Sequence, residues 1–193
     1  MSACERSGCA RTMRVERRRD GDLQPLSTDR VWTRRGSAGH WIGCTGVFVH
    51  DGRLVVADAW NHRILIWDDV PMSSDRRPDV VLGQADASSV DENRGELGPD
   101  SFRWPHGIAG PQSGVLVADA GNHRLLGWQP APATDGPATM VLGQTDFVTG
   151  SEFPYIPQTR SSMRFLSAVD IHGDTMVVAD TANNRVTVWD LDP

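Results

Sequence analysis

Residues 56–67 read VADAWNHRILIW, and the chain repeats nearly the same run twice, as VADAGNHRLLGW at 117–128 and VADTANNRVTVW at 178–189. Asp58, Asp119 and Asp180 are spaced 61 residues apart, twice over. The match continues without a gap over about 28 positions, from Trp41, Phe102 and Met163 at its front to Trp67, Trp128 and Trp189 at its end. Gly46, Gly107 and Ala168 are small in each copy. A second block, VVLGQAD at 80–86, recurs as MVLGQTD at 140–146, after 60 residues rather than 61. The difference falls in the loops 68–79 and 129–139, where a change of length costs little. A fixed period of this kind requires a fold built from copies of one supersecondary unit.

Each unit reads as short strands. GVFVH (46–50), RLVVAD (53–58), RILIW (63–67) and DVVLGQ (79–84) are rich in Val, Ile, Leu and Trp and are separated by turn residues. On RILIW, Ile64 and Ile66 face one side, and Leu65 and Trp67 face the other. Both faces are therefore apolar, and the sheet needs cover on both sides. Helix signals are weak throughout. Repeated four-stranded antiparallel units with two apolar faces predict an all-β β-propeller, whose blades stack face to face around an axis. A β-sandwich would not explain a 61-residue repeat of whole four-strand units, and solenoids have shorter periods.

The run G-V-x-V-x-x-x-G-x-L-x-V-A-D-x-x-N-H-R-[ILV]-x-x-W resembles the NHL repeat, with NHR at 61–63 and 122–124 and NNR at 183–185. The VLGQ-x-D blocks at 81–86 and 141–146 resemble the long-blade bacterial form of that repeat. The resemblance covers about residues 41–193 and implies a propeller, usually six-bladed, whose inner strands line a central channel. GVFVH, HGIAG and AVDIH would then be inner strands, with DVVLGQ and TMVLGQ outer ones. Trp60 departs from the pattern, since a small residue is usual there, and so does Asn184 in place of His.

The blades fall at about 41–86, 102–146 and 163–193, the last without a fourth strand. Three blades are too few to close a ring, because closed propellers have four or more. An open arc exposes the apolar faces of its end blades and the edge left by the missing strand. Three resolutions stay open. The chain is a fragment, or a homodimer completes a six-blade ring, or residues 15–40, through RVWTRRGS at 30–37, supply the missing outer strand.

Composition narrows the class of partner. With 39% apolar and 23% charged residues, the chain has the make-up of a globular protein. No apolar run approaches the ~18 residues of a membrane span, so a membrane is not expected as partner. Residues 1–40 hold nine Arg against five acids and read as a basic, poorly ordered segment, while 41–193 hold ten Arg against twenty acids. That acidic balance argues against nucleic acid. Residues 1–23 lack the apolar stretch of a signal peptide, so the default expectation is a cytoplasmic location, or secretion if the true N-terminus lies upstream. Cys4, Cys9 and Cys44 have no metal-like spacing and are expected as free thiols, with Cys44 buried.

The repeated polar residues are read as hairpin hardware: Asp58, Asn61 and Arg63; Asp119, Asn122 and Arg124; Asp180, Asn183 and Arg185. Asp at a turn accepts backbone N–H groups, Asn tolerates the left-handed conformation, and Arg pairs with an Asp of its own or a neighbouring blade. A catalytic centre would draw different residues from each blade. His62, His123 and His172 are candidates for facing a ligand, but Asn184 breaks the series and no metal motif accompanies them, so no metal or cofactor is expected. The linkers 87–104 and 147–165 are dissimilar, and repeat scaffolds place recognition in such loops. Their candidate partner-binding residues are Trp104, His106, Phe153, Tyr155 and Ile156. The expected role is a non-catalytic binding or scaffolding module for a protein or small ligand. The alternative is a fragment of a metal-dependent lyase or hydrolase of the six-bladed kind.

Overall fold

The computed structural model describes residues 43–50, 52–72, 76–110, 114–151 and 159–191. The N-terminal segment 1–40, Trp41, and the candidates Phe153, Tyr155 and Ile156 lie outside the described residues.

Eleven strands form among the described residues, in three antiparallel sheets. The first holds β1 (Cys44–His50), β2 (Arg53–Asp58), β3 (Arg63–Trp67) and β4 (Val80–Leu82) in chain order. The second holds β5 (Pro105–Ala109), β6 (Val115–Asp119), β7 (Arg124–Trp128) and β8 (Met140–Leu142). The third stops at three strands, β9 (Leu166–His172), β10 (Thr175–Asp180) and β11 (Arg185–Asp190). The first strand of each sheet carries a register shift where it meets the Asp that ends the second, at Cys44/Gly46, Pro105/Ile108 and opposite Ala179/Asp180. Each sheet is a β-propeller blade. The outer strands are shorter than the DVVLGQ reading, because the chain turns at Gly83 and Gly143, both at positive φ (87° and 93°).

The blades stack through two apolar layers. Val55, Ala57, Ile64, Ile66 and Leu82 of the first blade meet Ile108, Val117, Leu126 and Trp128 of the second. Leu116, Ala118 and Leu125 then meet Leu166, Val169, Met176 and Val178 of the third. The period-2 alternation of each strand sends one set of side chains to each neighbour, and this is why both faces had to be apolar. Phe102 and Met163, at matching places in the repeat, seal the layers from below. A Cβ on Gly83 would lie 2.2 Å from the Phe102 ring, and one on Gly143 would lie 2.9 Å from Met163 Cβ, so glycine satisfies both the turn and the contact.

The inner strands come closest. A Cβ on Gly46 would stand 2.2 Å from the His106 carbonyl oxygen, and one on Gly107 would stand 2.6 Å from Ala168 Cα. The small residue repeated at this place is what lets successive blades touch backbone to backbone.

The open end shows where the expectation of exposed apolar faces holds. On the third blade Val186 and Val188 are 64% and 68% exposed, and β11 has β10 as its one partner among the described residues. On the first blade Val47 and Val49 are exposed, but Leu54, Val56, Leu65 and Trp67 are buried. The expected burial of Cys44 is corrected. It is a free, exposed thiol at the bulge that opens β1, where the strand departs from regular pairing.

Gly107→Ala is expected to destabilise the chain by about 1–3 kcal/mol, because the clash is with backbone that cannot swing away. Gly136→Ala, whose nearest neighbour is 3.9 Å off, should change stability by less than about 0.5 kcal/mol. Urea unfolding of the two variants measures the contrast.

Candidate partner-binding rim

The hairpin joining the second and third strands is a 3-10 turn in every blade: Ala59–Asn61, Ala120–Asn122 and Thr181–Asn183. The Asp before it collects donors. Asp58 Oδ2 accepts from Asn61 Nδ2 at 2.9 Å and Arg63 Nε at 2.8 Å. Asp119 Oδ2 accepts from Asn122 Nδ2 and Arg124 Nε, both at 2.8 Å. Asp180 Oδ2 accepts from Asn183 Nδ2 at 2.9 Å and Arg185 Nε at 2.8 Å. The Arg therefore pairs within its own blade. Its remaining guanidinium nitrogens reach the linker that precedes or follows, with Arg124 Nη2 donating to the carbonyls of Gly98 (2.9 Å) and Ser101 (3.0 Å). Burial pushes the Asp119 carboxyl up from the usual carboxylate range, against the Arg124 charge, the Asn122 amide and the Arg103 backbone N–H.

The left-handed position is not the Asn of the triad, as the sequence had suggested, but the residue after it. His62, His123 and Asn184 stand at φ 53°, 59° and 53°. The Asn is instead held inside the 3-10 turn by its bond to Asp, which leaves the reversal to the next residue. From there His62 Nδ1 accepts the Trp104 backbone N–H of the next blade at 3.2 Å, and His123 Nδ1 accepts that of Phe165 at 3.1 Å. The residue before each acceptor bond is also held, since Arg103 N–H and Arg164 N–H donate to Oδ1 of Asp119 (2.8 Å) and Asp180 (2.7 Å). Two adjacent N–H groups just before the second and third inner strands are thus fixed, one by the strand's own blade and one by the blade before.

The Gln of the VLGQ block clamps the same corner. Gln84 Nε2 donates to the carbonyls of Asn61, His62 and Asp91, and Gln144 Nε2 to those of Asn122, His123 and Ser151. Asp86 then caps the following turn with bonds from Ser88 and Ser89, which hold its carboxyl down at about 2.

These constraints assemble an aromatic rim at the end where inner strands begin. Trp104 (φ 50°) and Phe165 (φ 49°) occupy equivalent left-handed positions, and Gly43 (φ 69°) is their counterpart in the first blade. There the bulk has moved. A Cβ on Gly43 would lie 2.2 Å from Trp60 Cδ1, so the Trp60 indole stands over the place its own blade leaves empty. The later blades reverse this, with Gly121 and Ala182 at the hairpin and the aromatic on the strand. Gly-for-aromatic exchange between aligned copies carried this signal in the sequence, where Trp60 stood out as a departure without being assigned to the site. Trp60 is 70% exposed and Trp104 43%, with the Arg103 guanidinium carbon 5.1 Å from the Trp104 ring centroid and Glu92 paired to Arg103. His106 lies edge-on to Phe165 at 5.3 Å, and burial lowers its pKa. His172, at the far end of β9, is exposed and takes no part. The linker 87–104 divides its duties: Gly98 to Phe102 pack against the second blade, while Val90, Asp91 and Glu92 stay in solvent.

Among the described residues no group of three or more His, Cys, Asp or Glu is placed to hold a metal ion, and no helix is long and apolar enough to cross a membrane. No protein-family model matches the chain, and no curated protein matches it significantly. Among solved structures it is similar to a chain of a nidogen/laminin complex (22% identity over 78% of this chain and 44% of that one, TM-score 0.47). It is also similar to the WD40 β-propeller domain of Doa1 (10%, 76% and 37%, 0.46) and to the computationally designed Ika4 protein (12%, 79% and 94%, 0.39). The chain spans less than half the length of the first two.

Asp119→Ala strands Arg124, which is fully buried, and should cost about 3–5 kcal/mol. Asp180→Ala should cost less, because the Arg185 side chain is 29% exposed and can turn to water. Thermal unfolding of both variants checks the order.

Burial lowers the His62 pKa from 6.5, with Glu92 and Asp58 pulling up and Arg103 pulling down. The neutral ring is the one that accepts the Trp104 N–H. A lowered folded value means the unfolded chain binds the proton first, so stability is full above 6.5 and falls as pH drops through the lower folded value. His62→Asn should flatten that part of the stability–pH curve, measured by melting temperature between about pH 7 and 5.

Proposed function

We propose that the chain is a binding module of the NHL type that recognises a polypeptide or small ligand through its aromatic rim, and that it is not an enzyme. The observation that carries this reading is a division of labour in the structure. The repeated Asp, Arg and Gln side chains are engaged in holding hairpins, linkers and blade contacts, while Trp60 and Trp104 remain exposed where the copies differ. The NHL assignment draws support from the NHR and NNR turns and the VLGQ-x-D blocks, each of which has a structural task in the blade. Exposed tryptophan beside an arginine is the composition of binding hot spots, which tolerate truncation poorly. A homodimer that joins two three-blade arcs is compatible with the exposed Val186 and Val188 face, and it would leave the rim free.

The test is selection of binding peptides from a random displayed library against the purified chain, followed by affinity measurement with Trp60→Ala and Trp104→Ala. A rim that recognises ligand predicts at least ~10-fold weaker binding for each variant, with melting temperatures close to the parent. Selected peptides whose affinity ignores both changes would contradict the reading.

A further inference from the structure

Trp104 is held in place by a contact that a proton can break. Its φ of 50° is a conformation that a bulky L-residue keeps only where its surroundings impose it. The imposing contact comes from the preceding blade, where His62 Nδ1 accepts the Trp104 N–H at 3.2 Å. That bond needs an unprotonated nitrogen, so the ring is neutral and carries its proton on Nε2. His123 Nδ1 accepts the Phe165 N–H in the same way, at 3.1 Å. The third copy has Asn184 at this place, in the same left-handed conformation (φ 53°). Asn brings an acceptor oxygen that does not titrate, so the backbone position accommodates both a proton-sensitive acceptor and an insensitive one.

Charged and titratable groups surround His62 from each neighbouring element. Its own hairpin brings Asp58, paired to Arg63, and β1 sets the Cys44 thiol opposite Asp58. The linker 87–104 brings Asp91, Glu92 and Arg103. From the second blade come Asp119, which holds the Arg103 N–H, and His106, two residues beyond Trp104. Burial lowers the His62 pKa from 6.5, Glu92 and Asp58 oppose the fall, and Arg103 adds to it. The bond is therefore complete above pH 6.5 and is lost as pH falls through the lower folded value. On protonation Nδ1 becomes a donor aimed at another donor. The new charge also draws on Glu92, which is paired to Arg103, and Arg103 lies 5.1 Å from the Trp104 ring centroid. One proton thus acts on Trp104 twice, through its backbone N–H and through the cation over its indole.

We propose that His62 is an acid-released latch on the aromatic rim: unprotonated, it fixes Trp104 in the left-handed conformation, and protonated, it frees Trp104 and Arg103, so that the rim holds a bound peptide less tightly. The consequence for binding rests on the reading of the rim as a recognition surface, whereas the latch itself is a property of the free chain. A proton and a peptide that favour opposite states of one element weaken each other's binding by the same factor. In the released state the imidazole titrates near its ordinary 6.5, so at pH 5 it is protonated by about 30 to 1. That ratio limits the shift toward release to about 30-fold.

The latch is read on the free 193-residue chain, isotope-labelled and titrated from about pH 7.5 to 5, by following the His62 ring and the Trp104 amide and indole resonances. The Trp104 signals should move with the His62 midpoint, and His62→Asn should abolish the movement while keeping an acceptor in place. Trp104 signals that stay still while His62 titrates would overturn the proposal. So would movement that persists in His62→Asn, because it would then belong to Asp119 or His106. The effect on binding is measured with a displayed-library peptide that carries no His, Asp or Glu, selected at about pH 7.4 and dependent on Trp104. Its Kd should rise about 5- to 30-fold from pH 7 to pH 5 with the parent chain and less than about 2-fold with His62→Asn. An equal rise with both chains would contradict the latch. Failure to select any such peptide would instead refute the rim as a recognition surface, and the resonances of the free chain would still decide the latch.

Discussion

One buried carboxylate per blade governs the rest of the structure. Asp119 gathers the Asn122 amide, the Arg124 guanidinium and the Arg103 backbone N–H, and so joins a hairpin, a linker and the start of an inner strand at a single point. A charge taken out of water is tolerable only when its lone pairs are met by fixed donors, and the repeat provides the same donors each time. Arg124 carries the constraint onward to Gly98 and Ser101, which in turn hold Phe102 beneath the blade interface. Polar and apolar order are therefore one system. The carboxylate positions the segment that seals the core.

Contact between blades follows from the same corner. His62 and His123 reverse the chain in the left-handed conformation and extend an acceptor to the next blade, while Gly46 and Gly107 admit the neighbouring backbone. The third copy ends this series in Asn184 and in a strand whose edge and outward face meet no fourth blade among the described residues. The described blades thus present a rim where aromatic bulk alternates between the hairpin, at Trp60, and the residue before the inner strand, at Trp104 and Phe165.

Much of this architecture was legible in the sequence because the repeat is an internal comparison. The 61-residue spacing, the two-sided apolar strands and the order of strands in each unit were all readable, and the Asp–Asn–Arg set pointed to a hairpin. Other features depend on geometry that no single copy reveals. That the left-handed residue is His62 rather than Asn61 could not be read from residue type, since both types occupy such positions. Nor could residue type tell that the His62 imidazole accepts a backbone N–H 42 positions away. Cys44 looked like a core residue because it follows apolar neighbours, but it lies on the first blade, where no preceding blade among the described residues covers the place that Pro105 and Leu166 occupy buried in the other two. Trp60 read as an anomaly until Gly43 was seen beneath it.

The repeated polar side chains pin the two residues that precede the second and the third inner strand. Native-state hydrogen exchange at the amides of Arg103, Trp104, Arg164 and Phe165 tests it most directly, since these N–H groups are held by Asp119, His62, Asp180 and His123. Protection close to that of strands β6 and β10 is expected, although the four residues stand outside the strands themselves. Exchange as fast as that of the exposed loop at Val90 would contradict this pinning.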